Sequence, residues 1–279
     1  MLQPWMIPGD LAPGDSKSHQ RDWSDIELHR IDSLEDPHFP MAFDALCTEF
    51  DAAGEMEQPF VLERRMHWDP AQLQDGLALR YRMMLITSGG KFAAARDHTA
   101  IVQEGYPDAI VHLSHNLIDP DWRRSGLAGW MRALPIQTAR TCLAAQGRPE
   151  NSPIVLVGEM EKSDSPAAVA RLTAYEKSGY KMIEPASIDY YQPDFATPEE
   201  IDAQGGPKPL PLNLLIRRVG RESHDAISGE EIQVLVRALY RMYQFGVRPC
   251  EMEPLFAHLD TYPPPSAQIP LVAPTSTIS

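Results

Sequence analysis

The chain reads as an α/β protein of the α+β kind: a central sheet flanked by helices, with a C-terminal helical extension. Three observations predict it. Two strand-like stretches, residues 77–87 and 92–103, are joined by Ser88-Gly89-Gly90-Lys91, a spacing that makes an antiparallel hairpin. Apolar segments with helical spacing and recognisable end signals alternate with further strands. With 279 residues and 43% hydrophobic content, the chain can bury one large core or two modest ones.

Taken in order, residues 26–31 form a first strand. Residues 40–53 form a helix with Met41, Leu46 and Phe50 inward and Gly54 as its stop, and residues 59–67 form a second helix opened by Pro59. After the hairpin the sheet continues through residues 109–118 and a helix over 126–145, where Leu127, Trp130, Met131 and Leu134 keep helical spacing. Pro135 should remove one hydrogen bond from that helix and kink it.

Residues 153–157 read as a buried strand, and Ser165-Pro166 opens a helix that Ser178-Gly179 ends. A strand over 180–191, a Pro/Gly-rich loop over 192–211 and a strand over 212–219 follow. Ser228 and Glu231 make a capping box for a helix whose Ile232, Leu235, Val236, Leu239 and Met242 form one apolar stripe, suited to packing on the parent domain or to a homodimer contact. The 26 prolines concentrate outside the expected core. The expected organisation is a flexible N-terminal arm (1–24), a main domain (25–220), the helical extension (221–260) and a Pro-rich tail (261–279).

A net charge of −14 argues against a nucleic-acid partner, because phosphate binding needs a basic footprint that only Arg123-Arg124 supplies. Cys47, Cys142 and Cys250 are odd in number and widely spaced, which suggests buried free thiols and neither a disulfide framework nor a metal site. No basic-then-apolar leader and no run of about 18 apolar residues is present, so no membrane span is expected and a cytoplasmic location follows.

The most informative stretch is Ile118-Asp119-Pro120-Asp121-Trp122-Arg123-Arg124-Ser125-Gly126-Leu127-Ala128, which joins a strand to a helix. The first turn of a helix leaves backbone N–H groups without intrahelical partners and carries the positive end of the macrodipole, so an anion is expected there. Gly126 and Ala128 are small enough to let a diphosphate approach the amides of Arg124, Gly126, Ala128 and Gly129. Arg123 and Arg124 add charge-assisted hydrogen bonds. Neither Gly-x-x-x-x-Gly-Lys-Ser/Thr nor Gly-x-Gly-x-x-Gly occurs at this turn.

With Ile118, Pro120 and Trp122 before it and Arg123, Gly126 and Ala128 within it, this segment resembles the acetyl-CoA signature of the GCN5-related N-acetyltransferase (GNAT) superfamily. Downstream, Ala174-Tyr175-Glu176-Lys177-Ser178-Gly179-Tyr180 resembles the family segment in which a tyrosine lies beside the CoA sulfur. Ala168 and Ala174 depart from the Asn and the aromatic or Leu that members often carry. The resemblance implies a GNAT-like mixed, mostly antiparallel sheet in an acyl-CoA-binding catalytic domain over 25–220. It further implies acetyl-CoA as acyl donor with no metal, bound by Leu117, Ile118, Arg123, Arg124, Ser125, Gly126, Leu127, Ala128 and Gly129.

The implied reaction is direct attack of a primary amine, on a small molecule or a peptide, upon the thioester. A backbone N–H near Leu117 or Ile118 would polarise the carbonyl, and Tyr175 would protonate the departing sulfur. His112, which alternates with Ser114 and Asn116 on one strand face, is the first candidate for the general base and Glu159 the second; His115, on the other face, is expected to pack. The alternative is a non-catalytic acyl-CoA-binding or interaction protein with a degenerate fold of the same type.

Overall fold

The computed structural model describes residues 1–277, so the last two residues of the expected tail lie outside it. The chain divides into two compact units, residues 1–156 and residues 157 onward. This boundary falls inside the stretch expected as a single domain over 25–220.

The first unit is built on β1 (Ile26–Ile31), α1 (Phe39–Phe50), α2 (Pro59–Met66), β2 (Leu73–Gln74), β3 (Leu77–Ser88), β4 (Lys91–Gln103), β5 (Ala109–Ile118) and α3 (Leu127–Ala145). Its strands run β1-β3-β4-β5, every neighbouring pair antiparallel, with β2 added to β3. The β3–β4 hairpin closes through Gly89 and Gly90, both at positive φ (55° and 74°), the conformation a two-residue turn matched to strand twist requires. Between β4 and β5 the register slips: Asp97 faces His115 and His98 faces Leu113, leaving Ser114 as the extra residue of a bulge.

Helix α3 packs on this sheet through Leu127, Trp130, Met131 and Leu134, which meet Met84, Ile86 and Ala94. The helix is continuous through Pro135. Proline cannot donate to the carbonyl four residues earlier, that of Met131. The guanidinium of Arg96, buried on β4, donates to the Met131 carbonyl instead. The first 24 residues, expected to be a flexible arm, belong to this core. Met6 and Trp23 are buried in it, Trp5 meets Trp130 edge-on at 6.5 Å, and Asp10 pairs with Arg140 at 2.7 Å. Burying an aromatic side chain stabilises by about 1.5–3 kcal/mol, and two tryptophans in this arm outweigh its proline-rich composition.

The second unit contains most of β6 (Ile154–Glu161), then α4 (Pro166–Lys177), β7 (Lys181–Ile183), β8 (Tyr190–Gln192), α5 (Pro198–Ala203), β9 (Leu210–Arg218), β10 (Ala226–Ser228), α6 (Gly229–Tyr243), α7 (Pro249–His258) and β11 (Gln268–Val272). Its strands run β6-β9-β7-β11-β10, with β8 also on β9. Both capping boxes at the starts of α5 and α6 are formed, Thr197 with Glu200 and Ser228 with Glu231. The five stripe residues of α6 are all buried.

Four expectations need correction here. The strand expected over 180–191 is two short strands, because Pro185 and the turn after it interrupt the ladder. The expected tail contains β11, whose Ile269 and Leu271 are buried while Pro270 faces out. Cys250 is exposed, not buried, whereas Cys142 is buried and its thiol pushed up to about 12 by that burial. In α1, Met41 is 40% exposed and the inward positions are Phe39, Ala42 and Leu46.

Candidate functional site

The turn between β5 and α3 is built from its own hydrogen bonds. Asp119 caps a single 3-10 turn, accepting from the Asp121 N–H at 2.9 Å, and Pro120 fixes the backbone angle that starts it. Arg124 then sits at φ 62°, one of two non-glycine residues at positive φ among the described residues, and Gly126 follows at φ 96° as the N-cap of α3. Gly126 offers no side-chain cap; Ser125 supplies one, its Oγ accepting from the Leu127 N–H at 3.2 Å. The Gly129 N–H donates to the Gly126 carbonyl at 3.1 Å, so one of the four amides expected to face a diphosphate is engaged within the turn. Arg123 and Arg124 are exposed.

The small residues of the turn admit a close neighbour, and in this structure the neighbour is the chain itself. A Cβ on Gly129 would lie 2.7 Å from Ser18 Oγ and 2.9 Å from Asp15 Cβ, and one on Gly126 would lie 3.1 Å from Ser18 Oγ. Asp15 makes a two-point contact with Arg132, at 3.0 and 2.6 Å. Trp23 donates its indole N–H to the Ser18 carbonyl at 2.7 Å and stacks on Trp122, the aromatic of the motif, with Arg21 over both rings. The segment Pro13–Gln20 therefore lies over the N-terminal turn of α3. Sequence reasoning had no means to place it there.

Along β5, residues 109–113 are buried and exposure rises toward Leu117 and Ile118, which pair with Ala95 and Ala94 of β4. His112 is buried, with its Nδ1 3.3 Å from Ser114 Oγ. His115 is buried, as expected, but against a carboxylate: its Nδ1 lies 2.8 Å from Asp97 Oδ1, its backbone N–H donates to the same oxygen at 3.0 Å, and its Nε2 faces the Glu55 carbonyl at 3.2 Å. Tyr81 donates to the other Asp97 oxygen at 3.0 Å. Burial works against both charges, yet Asp97 outweighs it and holds the His115 imidazole above its ordinary value. His115 and the hydrogen bonds in turn bring Asp97 down to about 2. The Glu57–Arg65 ion pair lies buried in the same unit, and burial raises Glu57 despite Arg65. Asp97 and Glu57 were not singled out from the sequence. The available signal was the polar run Arg96-Asp97-His98-Thr99 inside an otherwise buried strand.

In the second unit, Glu159 accepts the hydroxyls of Tyr190 and of Tyr243, the latter at 2.7 Å. Tyr243 comes from α6, the element expected to lie outside the functional core. Tyr175, half-buried on α4, meets Tyr180 edge-on at 4.9 Å. Its neighbour Glu176 accepts the backbone N–H of Thr275 at 3.0 Å and that residue's hydroxyl. Ser165 caps α4 and Gly179, at φ 78°, follows its end, as the sequence predicts. Among the described residues no group of three or more His, Cys, Asp or Glu is arranged to hold a metal ion, and no helix is long and apolar enough to cross a membrane.

No protein-family model and no curated protein matches the chain. Among solved structures it is similar to an aminoglycoside 6'-N-acetyltransferase complexed with coenzyme A, at 14% identity over 69% of this chain and 97% of that one, with a TM-score of 0.38. It is likewise similar to an acetyltransferase of the GNAT family from Streptococcus pneumoniae (15% identity, 69% and 99% covered, TM-score 0.36). A third is the ribosomal-protein-S18-alanine N-acetyltransferase from Escherichia coli (17%, 70% and 94%, 0.35).

Proposed function

We propose that the chain is an N-acetyltransferase of the GNAT superfamily, moving an acetyl or similar short acyl group from acetyl-CoA to a primary amine of a small molecule or peptide. The observation that carries this reading is the turn from Ile118 to Gly129. Its family-like residues stand between the end of a strand and the first turn of a nineteen-residue helix, with positive φ at Arg124 and Gly126 and two exposed arginines. A reversed backbone leading into a helix N-terminus is a concavity of N–H groups suited to phosphate. Arg123 and Arg124 would hold the diphosphate from outside, with the backbone from Ser125 to Ala128 beneath it.

The chemistry asks four things of the protein. A deprotonated amine nitrogen attacks the thioester carbon, an oxyanion forms and collapses, the carbon–sulfur bond breaks, and the thiolate takes up a proton while the amine gives one up. Backbone N–H groups near Leu117 and Ile118 are suited to the oxyanion. Tyr175 is assigned the proton for sulfur, and His112 is the preferred base because both Glu159 oxygens already accept tyrosine hydroxyls. The net charge of −14 favours a cationic acceptor by long-range steering.

The test is turnover. The chain, incubated with acetyl-CoA and a panel of primary amines, should release free thiol, and Tyr175→Phe should lower that rate at least tenfold while leaving CoA binding intact. Tight CoA binding with no turnover on any amine would instead support a non-catalytic acyl-CoA-binding protein. On either reading, Ser18 and Asp15 cover the α3 N-terminus, so the diphosphate seats only when Pro13–Gln20 shifts.

A further inference from the structure

A cavity of about 330 Å³ opens between β1, β3 and the middle of α3, and three arginines converge on it. Arg80 and Arg82, two residues apart on β3, share one face of the sheet. Arg30 of β1 lies opposite Met84 in the antiparallel register, which puts it on that same face. Gln137, Thr138 and Thr141 of α3 form the facing wall.

The cations outnumber their counter-charges. Among the described residues, the ion pair at this cluster is Arg82 with Asp32 at 2.5 Å, and Asp32 is 62% exposed. Arg80 donates one N–H to the Trp68 carbonyl at 3.2 Å, and its Nε is buried without a hydrogen-bond partner. Burial, and then the charge of Arg80, push Arg82 down to about 10 despite Asp32, with Arg30 adding to the repulsion. Like charges converging in a partly desolvated cavity are an arrangement that an anion relieves, and this one stands in a chain of net charge −14.

We propose that this cavity binds a small polyanion, a molecule presenting a phosphate or an equivalent set of carboxylates to the forked guanidinium groups of Arg30, Arg80 and Arg82. Guanidinium forks match phosphate and carboxylate oxygens two at a time. The facing wall is held by its own bonds, Thr138 with His98 at 2.8 Å, Thr141 to the Gln137 carbonyl at 3.0 Å and Gln137 to the Trp5 carbonyl at 2.8 Å, so the arginines carry the recognition. A volume near 330 Å³ is at the lower end of small-ligand sites. The site is separate from the turn at Arg123: the ten helical steps from Leu127 to Gln137 span about 15 Å. It therefore stands whether or not the chain transfers acyl groups.

The test is calorimetric titration of the full chain, at constant ionic strength, with inorganic phosphate, pyrophosphate and citrate as probes. In an Arg123→Ala/Arg124→Ala background, which removes the diphosphate seat proposed above, saturable binding is still expected, weakened at least tenfold by adding Arg30→Gln or Arg82→Gln. Preference for the phosphates would identify a phosphorylated ligand, and preference for citrate a polycarboxylate. Arg30 is exposed, so its variant keeps the fold even if Arg82→Gln does not. Absence of saturable heat with all three probes, or heat lost with Arg123 and Arg124 but not with Arg30, would overturn the proposal.

Discussion

Arg96 donates to the carbonyl of Met131, the one helical acceptor that Pro135 leaves without its N–H. The two residues are a matched pair: a proline that breaks the ladder inside a buried helix, and a buried guanidinium on the adjoining strand that replaces the missing donor. A side chain is thereby spent on tying α3 to β4, directly behind the turn that opens the helix.

Removing Arg96 should cost more when Pro135 is present than when it is not. In Arg96→Met the Met131 carbonyl is left buried and unpaired, a loss of about 1–3 kcal/mol measurable by urea denaturation. In a Pro135→Ala background the new Ala N–H can satisfy that carbonyl, so the same substitution should cost measurably less. Strict additivity of the two changes would show that the contact does not compensate for the proline.

The Asp97–His115 pair makes stability depend on pH. His115 is raised above its unfolded value of about 6.5, so its contribution is complete below that pH and is lost as pH rises through the folded value. Asp97, at about 2 in the fold, contributes above its unfolded value of about 3.9 and loses that contribution as pH falls toward 2. Urea midpoints should therefore be highest between about pH 4 and 6.5 and fall above that range. Asp97→Asn should remove the alkaline part of the dependence and destabilise the fold by about 3–5 kcal/mol at pH 5–6, since it removes one partner of a buried pair. A wild-type profile that stays flat from pH 6 to 9 would contradict the pairing.

The cover over the α3 N-terminus predicts a gain of binding by mutation. Asp15→Ala removes the two-point contact with Arg132 and should loosen Pro13–Gln20. CoA affinity is then expected to rise about tenfold, in proportion to about 1.4 kcal/mol of arm docking released. Unchanged or weaker CoA binding by this variant, measured by calorimetry, would show that the arm does not compete for the seat.

What the sequence revealed and what it hid divide along the range of the interactions. The strands at 26–31 and 109–118, the Gly89-Gly90 hairpin and the caps at Ser165 and Ser228 are written in neighbouring residues, and the structure has each of them. The partners that decide the site are distant in sequence. Asp15 and Arg132 lie 117 residues apart and Tyr243 and Glu159 lie 84 apart. The bulge at Ser114, which aligns His115 with Asp97, leaves no local signature. Proline content misled twice, in the arm and in the tail, because Trp5, Trp23, Ile269 and Leu271 supply apolar anchors that composition alone averages away.

The central claim is that a diphosphate seats on the turn from Arg123 to Gly129, and calorimetric titration with coenzyme A tests it most directly, using the wild-type chain, Asp15→Ala, and Arg123→Ala/Arg124→Ala. Saturable heat is predicted for the first two, with at least a tenfold loss of affinity in the double-arginine variant. No heat with either wild type or Asp15→Ala, or affinity that survives the loss of both arginines, would contradict it.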